Sequence, residues 1–169
     1  MHRITKREYK LKVDSRTKTL ADNTKNTLLK SINNSPGIRY RELLRATGFS
    51  NGVMAHHLKK LEKSKRFKVR RYNRKSTRFY PLSTPTKELR VIDYISRRTP
   101  IQIVMFLSQH DSRTFKDIVQ FTKKARSTLS WHLSRLGQGG IISVTVGRNR
   151  VYRLKNRDLV IRVMKKIKS

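Results

Sequence analysis

Residues 125–140 read "ARSTLSWHLSRLGQGG", and residues 51–62 read "NGVMAHHLKKLE". Set in register, Met54, His57, Leu58 and Leu61 of the earlier stretch stand against Leu129, His132, Leu133 and Leu136 of the later one. At 100° per residue these four positions fall on one side of a helix, so each stretch presents an apolar face of the same shape. The opposite side of the later helix then carries Ser127, Ser130, Trp131 and Ser134, flanked by Arg126 and Arg135. The same side of the earlier helix carries Asn51, Gly52, Ala55, His56, Lys59 and Lys60.

The match extends outward at an offset of 75 residues. Tyr40 meets Phe115, Glu42 meets Asp117, Leu43 meets Ile118 and Thr47 meets Thr122, and further on Phe67 meets Ile142 and Val69 meets Val144. Beyond that the register slips to 72, pairing Arg78, Tyr80 and Leu82 with Arg150, Tyr152 and Leu154. A single slip is what a loop-length difference between two copies of one small domain produces.

Each copy reads as a first helix (20–33; 101–109), a short second helix ("RYRELLRAT"; "TFKDIVQFT"), a turn, and the helix described above. Alternating β-branched and aromatic segments follow, "FKVRRY" and "TRFYPL" in the first copy and "IISVTV" and "RVYRL" in the second, each pair a hairpin closed by a cationic turn. The expected fold class is mainly α with small β-hairpins (α+β). Its divisions are a basic N-terminal arm (1–19), a first domain (20–83), a linker helix capped by Thr86 (84–99), a second domain (100–155) and an amphipathic C-terminal helix capped by Asn156 (156–169). Helix, helix, turn, helix, hairpin is the order of a winged helix-turn-helix, so the expectation is two such domains in tandem.

Charge narrows the function. The chain of 169 residues carries 42 Lys and Arg against 10 Asp and Glu, a formal net charge of +32. No acid occurs between Glu62 and Glu88 or between Asp117 and Asp158, the two windows that hold the hairpins. A polyanion is the partner that relieves such self-repulsion, and double-stranded DNA is the expected one. Lys68, Arg70, Arg71, Arg74, Lys75 and Arg78 in the first copy, and Arg148, Arg150 and Arg153 in the second, are the candidate phosphate contacts. The small and hydrogen-bonding residues of the two third helices are the candidate base-facing set. Trp131 fits either a thymine methyl or sugar, or packing on another protein surface.

"GIRYRELLRATGFSNGVMAHHLKKLE…RFKVRRYNRKSTRFYPL" and "TPIQIVMFLSQH…STLSWHLSRLGQGGIISVTVGRNRVYRL" together resemble archaeal tandem winged-helix transcriptional regulators, each half being similar to the ArsR/MarR-like branch. The resemblance covers residues 20–167 and implies DNA binding, transcription control and dimers. It departs at the metal-sensing chemistry of many ArsR-like proteins. The chain has no cysteine, and His2, His56, His57, His110 and His132 form no ligand spacing beyond the adjacent His56 and His57, which point apart on a helix. No metal and no cofactor are expected.

A Ser-His catalytic reading of Ser130 and His132 fails because residues two apart on a helix face away from each other. "LGQGG" follows a helix and precedes a strand, the reverse of a phosphate-binding loop. The chain is therefore expected not to be an enzyme. The longest apolar run, "IQIVMFL", is too short to cross a membrane, and no secretory signal is read. The C-terminal helix is expected to pack on its own domain or, with the linker helix, on a second subunit in a homodimer, not on a membrane. The expected place is cytoplasmic and chromosome-associated. Three functional readings stand: a regulator using two recognition helices and basic wings, an architectural protein coating DNA through charge, and a protein-interaction module of the transcription machinery.

Overall fold

The computed structural model describes the backbone of residues 6–71 and 77–168, and the side chains of residues 19–71 and 77–167. The chain divides into two compact units, Met1–Asn34 with Ile38–Leu82, and Ser35–Gly37 with Ser83–Ser169.

The first unit begins with α1 (Lys6–Asn34), followed by β1 (Ile38–Arg39), α2 (Tyr40–Thr47), α3 (Asn51–Lys63), β2 (Lys68–Arg71) and β3 (Thr77–Tyr80). The helix expected to begin at residue 20 begins at Lys6 instead. The segment 6–34 contains neither Gly nor Pro and is rich in Lys, Arg and Leu, so nothing in it interrupts a helix once the later turns are packed. Leu28 and Ile32 of α1, Leu43 of α2, Met54, Leu58 and Leu61 of α3, and Ile38, Phe67 and Phe79 of the sheet form one buried cluster. Phe67 and Phe79 meet edge to face with ring centroids 5.5 Å apart. Each fully buried Leu or Ile here contributes about 1.5–3 kcal/mol.

The second unit comprises α4 (Thr86–Ile95), α5 (Arg98–Ser108), β4 (Arg113–Thr114), α6 (Phe115–Thr122), α7 (Arg126–Gln138), β5 (Ile142–Val146), β6 (Arg150–Leu154) and α8 (Arg157–Lys168). From α5 to β6 it repeats the order of α1 to β3, and α2, α3, α6 and α7 obey the 75-residue offset at both ends. Val104 and Leu107 of α5, Ile118 of α6, Leu129, Leu133 and Leu136 of α7, and Ile142 and Tyr152 are all buried.

Residues 84–99, expected as a linker, belong to the second unit. Leu89, Val91, Ile92 and Ile95 bury one side of α4. The helix is capped by Pro85 and not by Thr86; the Pro85 carbonyl accepts from the N–H groups of Glu88 and Leu89. Proline suits that place because its φ is already set near −65°. On α8, Val160 and Val163 are buried and Lys166 Nζ donates to Glu88 Oε2 at 2.7 Å. Glu88 is enclosed in the unit, so this bond satisfies a carboxylate that water does not reach and pins α8 to α4.

Each unit has a three-stranded antiparallel sheet, in the orders β1-β3-β2 and β4-β6-β5. The hairpins match expectation. The third strands, β1 and β4, are two residues long and leave no periodicity to read. Register also moves the sequence alignment by one residue. Ile38 and Val69 both pair with Phe79, while Arg113 and Val144 both pair with Tyr152. Phe79 is therefore the counterpart of Tyr152, an offset of 73, and Arg78 is the counterpart of Val151, not of Arg150.

Two left-handed backbone positions recur in each unit with glycine and lysine exchanged. After α2 stands Gly48 (φ 68°), and after α6 stands Lys123 (φ 52°). After α3 stands Lys65 (φ 51°), and after α7 stands Gly140 (φ 70°). The turns close alike, Arg66 N–H on the Leu61 carbonyl and Ile141 N–H on the Leu136 carbonyl, each at 2.9 Å. Lysine in this region carries the Cβ clash that glycine avoids.

Candidate nucleic-acid interface

The α2–α3 and α6–α7 pairs begin with the same device. The Glu42 carboxylate accepts from the Arg39 N–H at 2.9 Å, and the Asp117 carboxylate accepts from the Thr114 N–H at 2.9 Å. In the second unit the reciprocal bond is present too, Asp117 N–H to Thr114 Oγ1 at 3.3 Å, completing a capping box. These bonds hold the Asp117 carboxyl below the usual carboxylate range, chiefly through the Thr114 N–H.

On α7 the two faces separate cleanly. Leu129, His132, Leu133 and Leu136 are buried, while Arg126, Ser127, Ser130, Trp131, Ser134 and Arg135 are exposed. Half of the Trp131 surface remains accessible, a large amount for the chain's one tryptophan. Ser130 and His132 lie on opposite sides, exposed and buried, so they are not brought together. Burial pushes the His132 imidazole below its ordinary value, with the Arg97 and Arg135 cations adding to the effect.

On α3, Asn51, Gly52, Ala55, His56, Lys59 and Lys60 are all exposed. Asn51, however, is engaged: the Tyr40 hydroxyl donates to its Oδ1 at 2.5 Å and lies 3.2 Å from its main-chain carbonyl oxygen. The corresponding pair in the second unit is Phe115 and Arg126, whose guanidinium carbon sits 5.2 Å from the ring centroid. A hydroxyl–amide pair in one unit is thus a ring–guanidinium pair in the other. His57 is half-buried, and burial pushes its imidazole down, followed by the charges of His56, Lys60 and Lys25.

The hairpin residues divide three ways. Arg148, Arg150 and Arg153 are exposed on β5–β6. Lys68 and Arg70 are half-buried, and Arg71 is exposed but gripped through Nη2 by both oxygens of Glu62 at 2.7 and 2.8 Å. Arg78, expected as a phosphate contact, is only 5% exposed. It lies on the central strand of its sheet, between Arg39 of β1 and Arg70 of β2, and its guanidinium is not offered to solvent. Arg74 and Lys75 lie outside the described residues.

Beside α3 lies an open groove of about 850 Å³, whose walls include Arg39, Arg41 and Arg45 as well as Ala55, Lys59 and Arg71. The three arginines of β1 and α2 did not figure among the sequence candidates. Arg41 and Arg45 belong to the short second helix, whose amphipathic pattern signals only its buried side, and Arg39 to a two-residue strand with no pattern of its own. Among the described residues no group of three or more His, Asp and Glu is arranged to hold a metal ion, and no helix is long and apolar enough to cross a membrane.

Residues 98–144 match the family model for bacterial regulatory proteins of the arsR family. The matched segment runs from α5 through β4, α6 and α7 into β5. No match is found among curated proteins. Among solved structures the chain is similar to HlyU from Vibrio cholerae N16961, with 17% identity, a TM-score of 0.42, and 46% of this chain and 84% of that one covered. It is also similar to the transcriptional repressor BigR from Xylella fastidiosa, with 20% identity, a TM-score of 0.41, and 44% and 76% covered. A third is the homodimeric winged helix-turn-helix DNA-binding domain Mb0332 from Mycobacterium bovis, with 24% identity, a TM-score of 0.42, and 48% and 75% covered.

Proposed function

We propose that the chain is a transcriptional regulator that binds double-stranded DNA through two tandem winged helix-turn-helix domains. In this reading α3 and α7 are the recognition helices and the β2–β3 and β5–β6 hairpins are the wings. The observation that carries it is α7: six exposed residues, two of them arginines, line one face of a helix that lies inside the arsR-family segment. Serines are short enough to let a helix sit deep in the major groove and carry donors and acceptors for base edges. The exposed Arg148, Arg150 and Arg153 supply phosphate contacts beside it. The chain would act in the cytoplasm on the chromosome, as a homodimer joined through α4 or α8. The apolar side of α4 is already buried, whereas on α8 Val160 and Val163 are buried and Leu159, Met164 and Ile167 stay partly exposed.

A second reading, an architectural protein that coats DNA, is favoured by the net charge of +32, since phosphate contacts supply sequence-independent affinity. A protein-interaction role draws support from exposed apolar side chains such as Trp131 and Phe121. Selection from a genomic duplex library at near-physiological salt separates these readings. Enrichment of one site, lost on Ser130→Ala with Ser134→Ala, supports the regulator. Uniform recovery of all sequences supports the architectural reading, and no recovery supports the protein-interaction one.

A further inference from the structure

We propose that Tyr94 is a positioning residue for Arg135, which makes α4 part of the DNA-contact surface although it does not itself lie in the helix-turn-helix. The proposal rests on reading α7 as the DNA-facing helix. The Arg135 guanidinium carbon lies 5.3 Å from the Trp131 ring centroid and 5.4 Å from the Tyr94 ring centroid. Trp131 and Arg135 are four apart on α7 and so share a face. Tyr94 comes from α4, and its ring is itself held. Gly139, at the end of α7, approaches so closely that a Cβ there would stand 2.8 Å from three of the ring carbons. Nearby, Arg90 Nη2 donates to the Gln138 carbonyl oxygen at 3.4 Å. The end of α7, the α4 ring and the guanidinium thus form one packed group within the second unit.

The chemistry explains why such a group serves an anion. A planar, weakly hydrated guanidinium lies against π faces and still offers N–H donors at its edge. A side chain already restrained by two rings loses less conformational freedom when it binds than a free one does. Arg135 belongs to the last turn of α7, and base edges are met by the first turns of a recognition helix, so its partner is a backbone phosphate. The first unit has no such group. The counterparts of Trp131, Arg135 and Gly139 are His56, Lys60 and Ser64.

The test is fluorescence anisotropy of a labelled duplex with the full chain across a salt series. At about 0.15 M salt, Arg135→Gln is expected to weaken binding about five-fold and to lower the salt slope by about 0.9. Tyr94→Leu weakens it about three-fold, Tyr94→Phe leaves it unchanged, and Tyr94→Leu adds nothing once Arg135→Gln is present. Gly139→Ala, which must displace the ring, reproduces Tyr94→Leu and serves if the leucine variant does not fold. A Tyr94→Leu loss that persists in the Arg135→Gln background overturns the positioning role, as does wild-type affinity in both Tyr94→Leu and Gly139→Ala. Wild-type affinity and slope in Arg135→Gln itself would sink the DNA-facing reading of this end of α7.

Discussion

Replacing Arg148, Arg150 and Arg153 together with Gln tests the electrostatic half of the proposed function. All three are exposed on the second hairpin, in a window free of acids from Asp117 to Asp158. If each neutralises one phosphate, the slope of log affinity against log salt falls by about 0.9 per residue, or about 2.7 in all. With the two proteins equal in affinity at about 1 M salt, the same relation puts the loss at about 170-fold at about 0.15 M, narrowing to about six-fold at about 0.5 M. Anisotropy titrations of one duplex at five or six salt concentrations read both quantities. The buried Arg78 provides the contrast. Arg78→Met is expected to lower the melting temperature while leaving the slope where it was, because a guanidinium that is 5% exposed meets no phosphate. Arg71→Met should reduce the slope by clearly less than the about 0.9 of a full phosphate contact, since Glu62 already holds that cation. An unchanged slope in the triple variant refutes the phosphate-contact assignment of this wing, whatever happens to affinity.

Three further outcomes follow from comparing the two units. Ser50 caps α3 by accepting from the Val53 N–H at 3.4 Å, whereas Ala125 at the start of α7 has no side chain to do so. Ala125→Ser should therefore stabilise the chain by about 1 kcal/mol in denaturant melts, with Ser50→Ala costing a similar amount. Lys65→Gly and Lys123→Gly, which relieve left-handed lysines, should each stabilise by about 0.5–1 kcal/mol. Destabilisation by either would mean that the lysine side chain makes a contact worth more than the backbone strain. His57 and His132 both have folded-state values below the ordinary 6.5, so the unfolded chain takes up protons first as pH falls. Stability from these two groups is complete above that value and is lost as pH drops through it toward the folded-state values. His132→Leu should flatten the acid side of a melting-temperature profile below about pH 6.5; an unaltered profile would show that His132 is not buried neutral.

The sequence pattern read the third helices closely. Both begin where expected, at Asn51 and Arg126, because three apolar positions and a histidine at helical spacing specify a face, and each of the four on α7 is buried. Other features carried no such signal. A two-residue strand such as Arg113–Thr114 is created by pairing with β6, a distant partner, and has no period of its own. Arg78 looks like every other wing cation until strand order places it in the centre of a sheet. Asn51 sits on the expected face, yet its Oδ1 is claimed by Tyr40 from eleven residues upstream, a contact only the turn between α2 and α3 brings about. The paired change, Tyr40 with Asn51 against Phe115 with Arg126, was visible in the repeat as two separate substitutions, and only the structure shows them to be one.

That coupling bears on what the repeat is for. Where the two units are buried, their residues differ little in kind: Met54 against Leu129, Leu58 against Leu133, Leu61 against Leu136. Where they are exposed, the chemistry changes. α3 offers His56, Lys59 and Lys60, whereas α7 offers Trp131, Ser134 and Arg135 at the matching places. Coating DNA requires only positive charge, and interchangeable lysines on both helices would serve it equally well. An ammonium is a hydrated point charge, whereas serine hydroxyls and an indole each prefer particular groups in particular directions. Such directional groups concentrated on α7 favour selective contact over coating. If α3 and α7 both read bases, the two faces require two unlike boxes of sequence, so the site enriched from a library should lack internal repeat symmetry within one chain's footprint.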